Sequence, residues 1–313
     1  MKTMKLLDQR ADPFVYKHTN GKYYFTASVP AFDLIELRSA DTLEGLSAAQ
    51  PKVVWTRHTE GPMSKNIWAP EIHYLEGKWY IFFAAAQDDA DPRGCFDHRT
   101  YVLVNPSADP MEGEFTELLQ VKTDWETFTL DSTVLQNKGQ TYLIWAQRDP
   151  AIDSNSNLYI ARMPQPGVLE LPGVMLTQPE YEWECLGFRV NEGPSVLHHG
   201  GKLYLTYSGS ATDERYAMGL LVADENADLL DPASWKKSPV PVMVSEPKNG
   251  LYGPGHNSFT KDENGNDVLV FHARPYPGFK GGALSDPNRH AHLRWLRYDE
   301  KDEPVFQDAN GLE

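Results

Sequence analysis

The sequence is poor in the features that mark several large classes of protein. Its 313 residues include two cysteines, Cys95 and Cys185, too few for a disulfide framework, and no Cys-x-x-Cys or Cys/His pair indicates zinc. No run of about 18 apolar residues occurs, which argues against a transmembrane helix. Basic residues are scarce as well, with 29 Lys and Arg against 44 Asp and Glu and a net charge of −15. Because phosphate recognition needs clustered positive charge, we expect neither a nucleic-acid partner nor a membrane partner.

The first ten residues lack the parts of a secretory signal. Met1–Arg10 contains two lysines but neither an apolar central segment nor a small-residue cleavage site. From this absence we expect a cytoplasmic protein. Nothing in the sequence indicates an oligomeric state.

Aromatic residues and turn residues are abundant, and they form a repeat. The chain has 8 Trp, 15 Tyr, 13 Phe, 23 Gly and 23 Pro, a composition typical of short strands broken by many turns. One pattern, an alternating strand, a turn ending on glycine and an apolar second strand, occurs five times. The repeats lie near residues 12–28, 68–84, 130–146, 192–208 and 256–272, with turn glycines at Gly21, Gly77, Gly139, Gly201 and Gly265.

The spacing of the repeats predicts the fold. The turn glycines are 56, 62, 62 and 64 residues apart, so five units occupy nearly the whole chain. A repeated hairpin with further strands predicts an all-β, five-bladed β-propeller in which each blade packs against its neighbours. No Ser/Gly-rich or charged linker interrupts the pattern, so we expect one domain over residues 1–313. Met4–Gln9 can close the ring by pairing with Leu293–Tyr298.

One position of the repeat is not repetitive. Nine residues before the turn glycine stand Asp12, Trp68, Leu130, Glu192 and His256, and Asp131 follows Leu130. In a propeller these positions converge on the central axis, which predicts an active site there. Each residue also has an ordinary interpretation, since Asp-Pro and Asp-Ser-Thr sequences favour turns and a Trp can serve packing. The coincidence of three acids, a His and a Trp at one level favours the functional interpretation.

Three carboxylates and a Trp suit the cleavage of a glycosidic bond. That reaction needs a protonated acid at the leaving oxygen and an ionised carboxylate opposite it. A third carboxylate nearby disfavours ionisation of the acid and keeps it protonated. Metal binding by these carboxylates is a weaker explanation, because none of the three has the Asp-x-Asp spacing of a calcium loop. A non-catalytic sugar-binding propeller is the alternative of another class, but its sites would recur around the ring.

In combination these motifs resemble glycoside hydrolase family 43, whose five-bladed propellers include α-L-arabinofuranosidases, endo-arabinanases and β-xylosidases. The resemblance extends from Ala11-Asp12-Pro13 to His272-Ala-Arg274. It implies that Asp12, in Arg-Ala-Asp-Pro-Phe, is the general base. It implies that Glu192, in Asn-Glu-Gly-Pro-Ser, is the general acid, and that Asp131, in Leu-Asp-Ser-Thr-Val, tunes the pKa of the acid and orients it.

The resemblance implies further site residues. Trp68 and Glu71, in Asn66-Ile-Trp68-Ala-Pro-Glu71, belong to a motif that shapes the sugar pocket, and Arg274 is expected to contact substrate. His256 is expected near a hydrated Ca²⁺ or another structural ion, and the chemistry is expected to require no cofactor. We interpret residues 93–100 as an ordinary connection rather than a loop over the pocket.

The implied mechanism is inverting. Asp12 takes a proton from the attacking water while Glu192 protonates the leaving oxygen, with their carboxyls about 6.5–9.5 Å apart. Asn191–Ser195, Tyr207–Asp213 and Gly253–Phe259 most resemble the exo-acting α-L-arabinofuranosidase branch, which implies release of terminal arabinofuranose from α-1,5-linked arabino-oligosaccharides. A β-xylosidase or endo-arabinanase acting on another pentose-containing oligosaccharide remains the alternative within the family.

Overall fold

The protein consists mainly of antiparallel strands arranged in five four-stranded sheets. The structure is a computed structural model that describes residues 1–88 and 96–308. The chain begins with β1 (Thr3–Leu7), and its short helical turns lie at Glu44–Ser47, Glu182–Glu184, Pro232–Ser234 and Pro247–Asn249. None of the helices in these described ranges is long and apolar enough to cross a membrane.

Each sheet is one blade, and the blades follow one another along the chain. The first blade contains β2 (Ala11–Lys17), β3 (Tyr23–Ser28), β4 (Leu34–Ala40) and β5 (Lys52–Thr56). The second contains β6 (Lys65–Leu75), β7 (Lys78–Ala86), β8 (Arg99–Asn105) and β9 (Thr116–Gln120). The third contains β10 (Thr129–Asn137), β11 (Gln140–Gln147), β12 (Asn157–Arg162) and β13 (Val174–Thr177). The predicted five-bladed β-propeller is confirmed when the remaining two blades are added.

The last two blades complete the ring. The fourth contains β14 (Asn191–His199), β15 (Lys202–Gly209), β16 (Ala217–Asp224) and β17 (Lys236–Lys237). The fifth contains β18 (Tyr252–Lys261), β19 (Asp267–Arg274) and β20 (His290–Trp295), with β1 as its outer strand. A small hairpin of β21 (Arg297–Tyr298) and β22 (Pro304–Val305) follows. Because Met4 pairs with Leu293, the predicted closure of the ring by the N-terminal segment is confirmed.

The hydrophobic core lies between neighbouring blades rather than at the axis. Between the first two blades, Tyr24 of β3 packs against Trp79 of β7, with ring centroids 5.0 Å apart. Trp145 of β11 is likewise fully buried in the cluster between the second and third blades. Since each aromatic ring removes a large apolar area from water, these second-strand residues supply much of the packing that holds the blades together.

The innermost strand of every blade contains a bulge at the same level. Its register with the second strand shifts there, and one residue adopts a left-handed backbone conformation. These residues are Asp12 (φ 53°), Ala69 (φ 45°), Asp131 (φ 49°), Gly193 (φ 56°) and His256 (φ 39°). A bulge changes the direction of neighbouring side chains, and a positive φ is uncommon outside glycine. The five bulges therefore account for the loss of regular alternation where the polar residues meet.

Candidate active site

A cavity of about 520 Å³ lies at the bulged level of the inner strands. Its polar wall includes Asp12, Asp131, Glu192, His256 and Arg289. Its apolar wall includes Trp68, Phe96, Phe128, Phe188 and Leu284. The structure thus brings together five of the residues selected from the sequence, namely Asp12, Trp68, Asp131, Glu192 and His256. The other two, Glu71 and Arg274, are not part of this lining.

Asp12 is held as a carboxylate. Its Oδ2 accepts a hydrogen bond of 2.6 Å from Ser28, and its Oδ1 lies 3.3 Å from Nη1 of Arg289 and 3.3 Å from Nδ1 of His256. Burial acts to raise the pKa of Asp12, but the positive charge of Arg289 outweighs it and holds the pKa far below its usual range. Asp12 is therefore ionised at neutral pH, as a general base must be.

The surroundings of Glu192 favour its protonated form, in contrast to those of Asp12. Burial raises the pKa of Glu192 to about 7, and the negative charge of Asp12 acts in the same direction. A hydrogen bond of 2.8 Å from the Tyr216 hydroxyl to Oε1 and the charge of Arg289 oppose this rise. A carboxyl with this pKa keeps a substantial protonated fraction near neutral pH. Two carboxyls whose environments move their pKa values apart are the arrangement that acid–base catalysis requires.

Asp131 interacts electrostatically with both of these groups. Burial, Glu192 and Asp12 together raise the pKa of Asp131 well above its usual range. Its Oδ2 accepts the backbone N–H of Gly193 at 3.1 Å, the residue that follows Glu192. Asp131 is thus attached to the strand that carries Glu192. Because the two carboxyls disfavour each other's ionisation, they titrate as a pair.

Two buried histidines support the base. His272 Nδ1 accepts the backbone N–H of Asp12 at 3.0 Å, so its ring proton lies on Nε2. Burial lowers the pKa of His272 to about 4 and lowers that of His256 as well. Both imidazoles are therefore neutral at pH 7, and Arg289 is the cation beside Asp12.

The surroundings of His256 do not form a metal cage. Its Nδ1 faces Asp12 and lies 3.6 Å from Asp131 Oδ2. Within residues 1–88 and 96–308, no three His, Cys, Asp or Glu side chains are grouped as metal ligands are. These donors do not fit an ion held by side chains alone, and an ion near His256 would have to keep most of its ligands as water.

Trp68 forms the apolar wall together with a segment that sequence reasoning undervalued. Its ring stacks on His98 with centroids 4.0 Å apart and packs edge-on against Phe96 at 5.0 Å. His98 is fully buried and contacts the carbonyl of Asn66 through Nε2 at 2.8 Å. Phe96 lines the cavity, so the interpretation of residues 93–100 as an ordinary connection is wrong at this residue. Arg93 and Cys95 of that segment lie outside the described residues.

Glu71 and Arg274 lie behind the cavity wall. Glu71 is buried and its Oε2 is 2.9 Å from His73 Nε2. Arg274 is 2% exposed, and it donates to the carbonyls of Ala283 at 2.8 Å and Asp286 at 3.2 Å. The structure thus differs from the expected contact of Arg274 with substrate, because this side chain supports the wall. Arg289, which lies outside the repeat, occupies the place beside the base.

Sequence reasoning also missed the polar residues that hold the bulges. Ser28, Ser208 and His272 each stand seven residues after a turn glycine, where the other two repeats have Ala84 and Ala146. Each accepts a bulge N–H from the next blade: Ala69 to Ser28 at 2.8 Å, His256 to Ser208 at 2.8 Å, and Asp12 to His272 at 3.0 Å. The signal available in the sequence was that this position is polar in three repeats and alanine in the other two. Tyr216 left no such signal because it lies outside the repeated hairpins.

Comparison with known proteins agrees with this geometry. The family model described as glycosyl hydrolases family 43 matches residues 6–304. The chain belongs to glycosyl hydrolase family 43. An α-L-arabinofuranosidase from Lactobacillus brevis, known from a crystal structure, superposes with a TM-score of 0.94 at 52% identity, covering 96% of this chain and 95% of that chain. A thermostable family-43 glycoside hydrolase at 23% identity and a TM-score of 0.74 shares the fold.

Two curated relatives carry the name extracellular exo-α-(1→5)-L-arabinofuranosidase. The protein from Streptomyces avermitilis is 46% identical over 97% of this chain, and this chain spans 63% of its length. The protein from Streptomyces chartreusis is 47% identical over 88% of this chain and 83% of its own length. The cytoplasmic location expected from the sequence is wrong by this comparison, because both relatives are named extracellular. The missing signal features in Met1–Arg10 are negative evidence and could not decide the location.

Proposed function

We propose that this member of family 43 is an exo-acting α-L-arabinofuranosidase that hydrolyses arabino-oligosaccharides with inversion of the anomeric centre. The observation that carries the proposal is the contrast between two acids in one cavity. Asp12 is held ionised, whereas burial raises the pKa of Glu192 to about 7. Acid–base hydrolysis of a glycoside needs one group of each kind.

The proposed reaction is a single displacement. Asp12 takes a proton from a water molecule as the water oxygen bonds to the anomeric carbon. Glu192 gives its proton to the glycosidic oxygen as the bond from that oxygen to the anomeric carbon breaks. Asp131 and Glu192 disfavour each other's ionisation, so the pair retains a proton, and the hydrogen bond from the Gly193 N–H ties Asp131 to the strand of Glu192. Asp12 then releases its proton to solvent and Glu192 takes up a proton from solvent, which restores the starting state.

The walls of the cavity support a substrate with one sugar ring inside the cavity and a second sugar ring at its mouth. Trp68, Phe96 and Phe128 offer an apolar surface for a furanose ring, while the carboxylates and Arg289 supply polar contacts. Phe188 is 48% exposed and Leu284 is 38% exposed although both line the cavity. We propose that these two side chains face the leaving sugar. Exo action and the α-1,5 linkage rest on the names of the Streptomyces relatives.

The test compares substrates and products. Purified protein is incubated with a 4-nitrophenyl α-L-arabinofuranoside, with the matching β-D-xyloside and with α-1,5-arabinotriose. We expect arabinose release from the first and third, and proton NMR should show the inverted anomer first. Preference for the xyloside would favour a β-xylosidase, and internal cleavage of longer arabinans would favour an endo-arabinanase. Binding without turnover of any of them would favour a sugar-binding propeller.

We also propose that the chemistry requires no cofactor and that any ion near His256 is structural and bound through water. Dialysis against EDTA should then leave kcat unchanged. A fall in the thermal midpoint that Ca²⁺ reverses would support a structural ion. A loss of kcat that Ca²⁺ restores would contradict the proposal.

A further inference from the structure

A buried tyrosine, Tyr216, contacts the carboxyl of Glu192. Its hydroxyl donates a hydrogen bond of 2.8 Å to Oε1 of Glu192, and the side chain is 1% exposed. Tyr216 directly precedes β16 in the fourth blade, and it lies outside the hairpins that carry the predicted site residues. Burial raises the pKa of Tyr216 well above its usual range, so the hydroxyl keeps its proton and remains a donor.

The ring of Tyr216 is fixed from two sides. It stacks on His272 with centroids 5.7 Å apart and planes inclined by 8°. On another side it approaches Gly255 so closely that a Cβ there would lie 2.4 Å from the ring. Only glycine allows this approach, because real Cβ atoms do not come within 3 Å of other atoms. These contacts hold the Tyr216 hydroxyl in one position.

The donors around the hydroxyl also determine which way its proton points. Ser208 Oγ accepts the backbone N–H of His256 at 2.8 Å and hydrogen-bonds to Tyr216. Ser208 then donates to the phenolic oxygen, and Tyr216 in turn donates to Oε1 of Glu192. An oxygen that accepts this bond is a poor place for the carboxyl proton. The acidic proton of Glu192 is thereby left on Oε2.

We propose that Tyr216 is a positioning residue that fixes the Glu192 carboxyl so that Oε2 presents its proton to the leaving-group oxygen. The inference rests on the proposed function, and it adds a residue that acts through the general acid. Tyr216 also touches the support of the base, because its stacking partner His272 accepts the backbone N–H of Asp12. The ring of Tyr216 thus connects the position of Glu192 with that of Asp12.

The sign of the effect on the acid follows from the groups around it. Those facing Glu192 and Tyr216 are Asp12 from β2, Asp131 from β10, Arg289 from the segment before β20, and the neutral His256 and His272. The Tyr216 bond favours the ionised form of Glu192, against burial and Asp12. Removing the hydroxyl removes only that bond, so the pKa of Glu192 must rise. The basic limb of the pH–kcat profile should move to higher pH.

The experiment compares Tyr216→Phe with Tyr207→Phe. Tyr207 is an equally buried tyrosine of the same blade that donates a 2.8 Å bond to a different carboxylate, Glu184, away from the cavity. We expect Tyr216→Phe to move the basic limb up by about 0.5–1 pH unit. We expect its kcat on arabinobiose to fall about tenfold or more, because the acid is misdirected. Tyr207→Phe should leave the limb in place.

A second readout separates positioning from general damage. A 4-nitrophenyl leaving group needs little protonation, so the Tyr216 variant should lose much less activity on the aryl arabinofuranoside than on arabinobiose. Equal losses on both substrates, or a basic limb that stays in place, would refute the role. If Tyr216→Phe does not fold, Ser208→Ala serves instead, with a smaller shift in the same direction because it weakens the donor.

A titration without substrate keeps this test independent of the proposed activity. Infrared difference spectra of the wild type minus Glu192→Gln report the ionisation of Glu192 directly, and the same difference is taken in the Tyr216→Phe background. The pKa of Glu192 should be higher in that background by about 0.5–1 unit. An unchanged or lower value would refute the inference even if the protein hydrolysed another sugar. Failure on arabinosides with the predicted shift would refute the proposed function alone.

Discussion

Removal of the charge of Arg289 should move the whole pH profile of the enzyme. Arg289 Nη1 lies 3.3 Å from Asp12 Oδ1, and both side chains are buried. At this distance, with an effective dielectric constant of about 20, the attraction is about 5 kcal/mol. That corresponds to roughly 3–4 pKa units as an upper limit. Because Arg289 is the main group that lowers the pKa of Asp12, Arg289→Met should raise the acidic limb, by no more than about 3–4 pH units.

The basic limb should rise as well, but by less. Arg289 also lowers the pKa of Glu192, as the last of the four influences on that group. The bell-shaped pH profile of kcat/KM should therefore shift to higher pH and become narrower, since the pKa of Asp12 rises more than the pKa of Glu192. The assay is kcat/KM on an aryl arabinofuranoside across the pH range in which each variant stays folded, with the fold checked by circular dichroism at each end.

Arg289→Lys is the matched control for this prediction. It keeps a positive charge near Asp12 while losing the planar fork, so its limbs should lie much nearer to those of the wild type. An acidic limb of Arg289→Met at the wild-type position would refute the reasoning. That result would mean that the neutral histidines and Ser28, and not the guanidinium, keep Asp12 ionised.

Four further predictions concern the cavity and its supports. Asp12→Asn and Glu192→Gln should each lower kcat by about 100-fold or more without unfolding the protein, as measured by steady-state kinetics and circular dichroism. Glu192→Gln should also raise the free energy of unfolding at pH 8 by about 1–3 kcal/mol, because the folded pKa of about 7 exceeds the unfolded value and the penalty grows as pH rises between them; the gain should vanish at pH 4 in urea denaturation. Arg274→Met should lower the free energy of unfolding by about 3–5 kcal/mol, since it leaves the buried Asp286 without its ion pair. Phe188→Ala should raise KM for arabinotriose several-fold while kcat changes little, and an unchanged KM would place the leaving sugar elsewhere.

The fold was accessible from the sequence because the propeller repeats the same physical problem five times. Each blade must bury an apolar strand pair against the next, so the turn glycines and second-strand aromatics recur with the period of a blade. The carboxyls that we propose as catalytic were accessible for the opposite reason. Asp12, Asp131 and Glu192 interrupt a repeat that packing alone would have kept uniform.

What the sequence could not reveal depends on contacts between segments without a repeat. Arg289 and Tyr216 approach the carboxyls from the connections between strands, where no periodicity marks them. Arg274 was expected to contact substrate because the family resemblance implied it, but its buried guanidinium donates to carbonyls behind the wall. The predicted cytoplasmic location was wrong for another reason, since the absence of signal features in Met1–Arg10 says little about where a protein functions.

The role of Asp131 emerges from the same hydrogen-bonding problem that the other blades solve differently. Four of the bulges direct a backbone N–H to an acceptor in the preceding blade, and a buried N–H without an acceptor is costly. Ser28, Ser208 and His272 accept three of these groups. Before the fourth blade the corresponding residue is Ala146, which has no acceptor, and the Gly193 N–H is bound instead by the Asp131 carboxylate. Asp131 thus supplies the acceptor that Ala146 lacks, and this bond couples the third acid to the strand bearing Glu192.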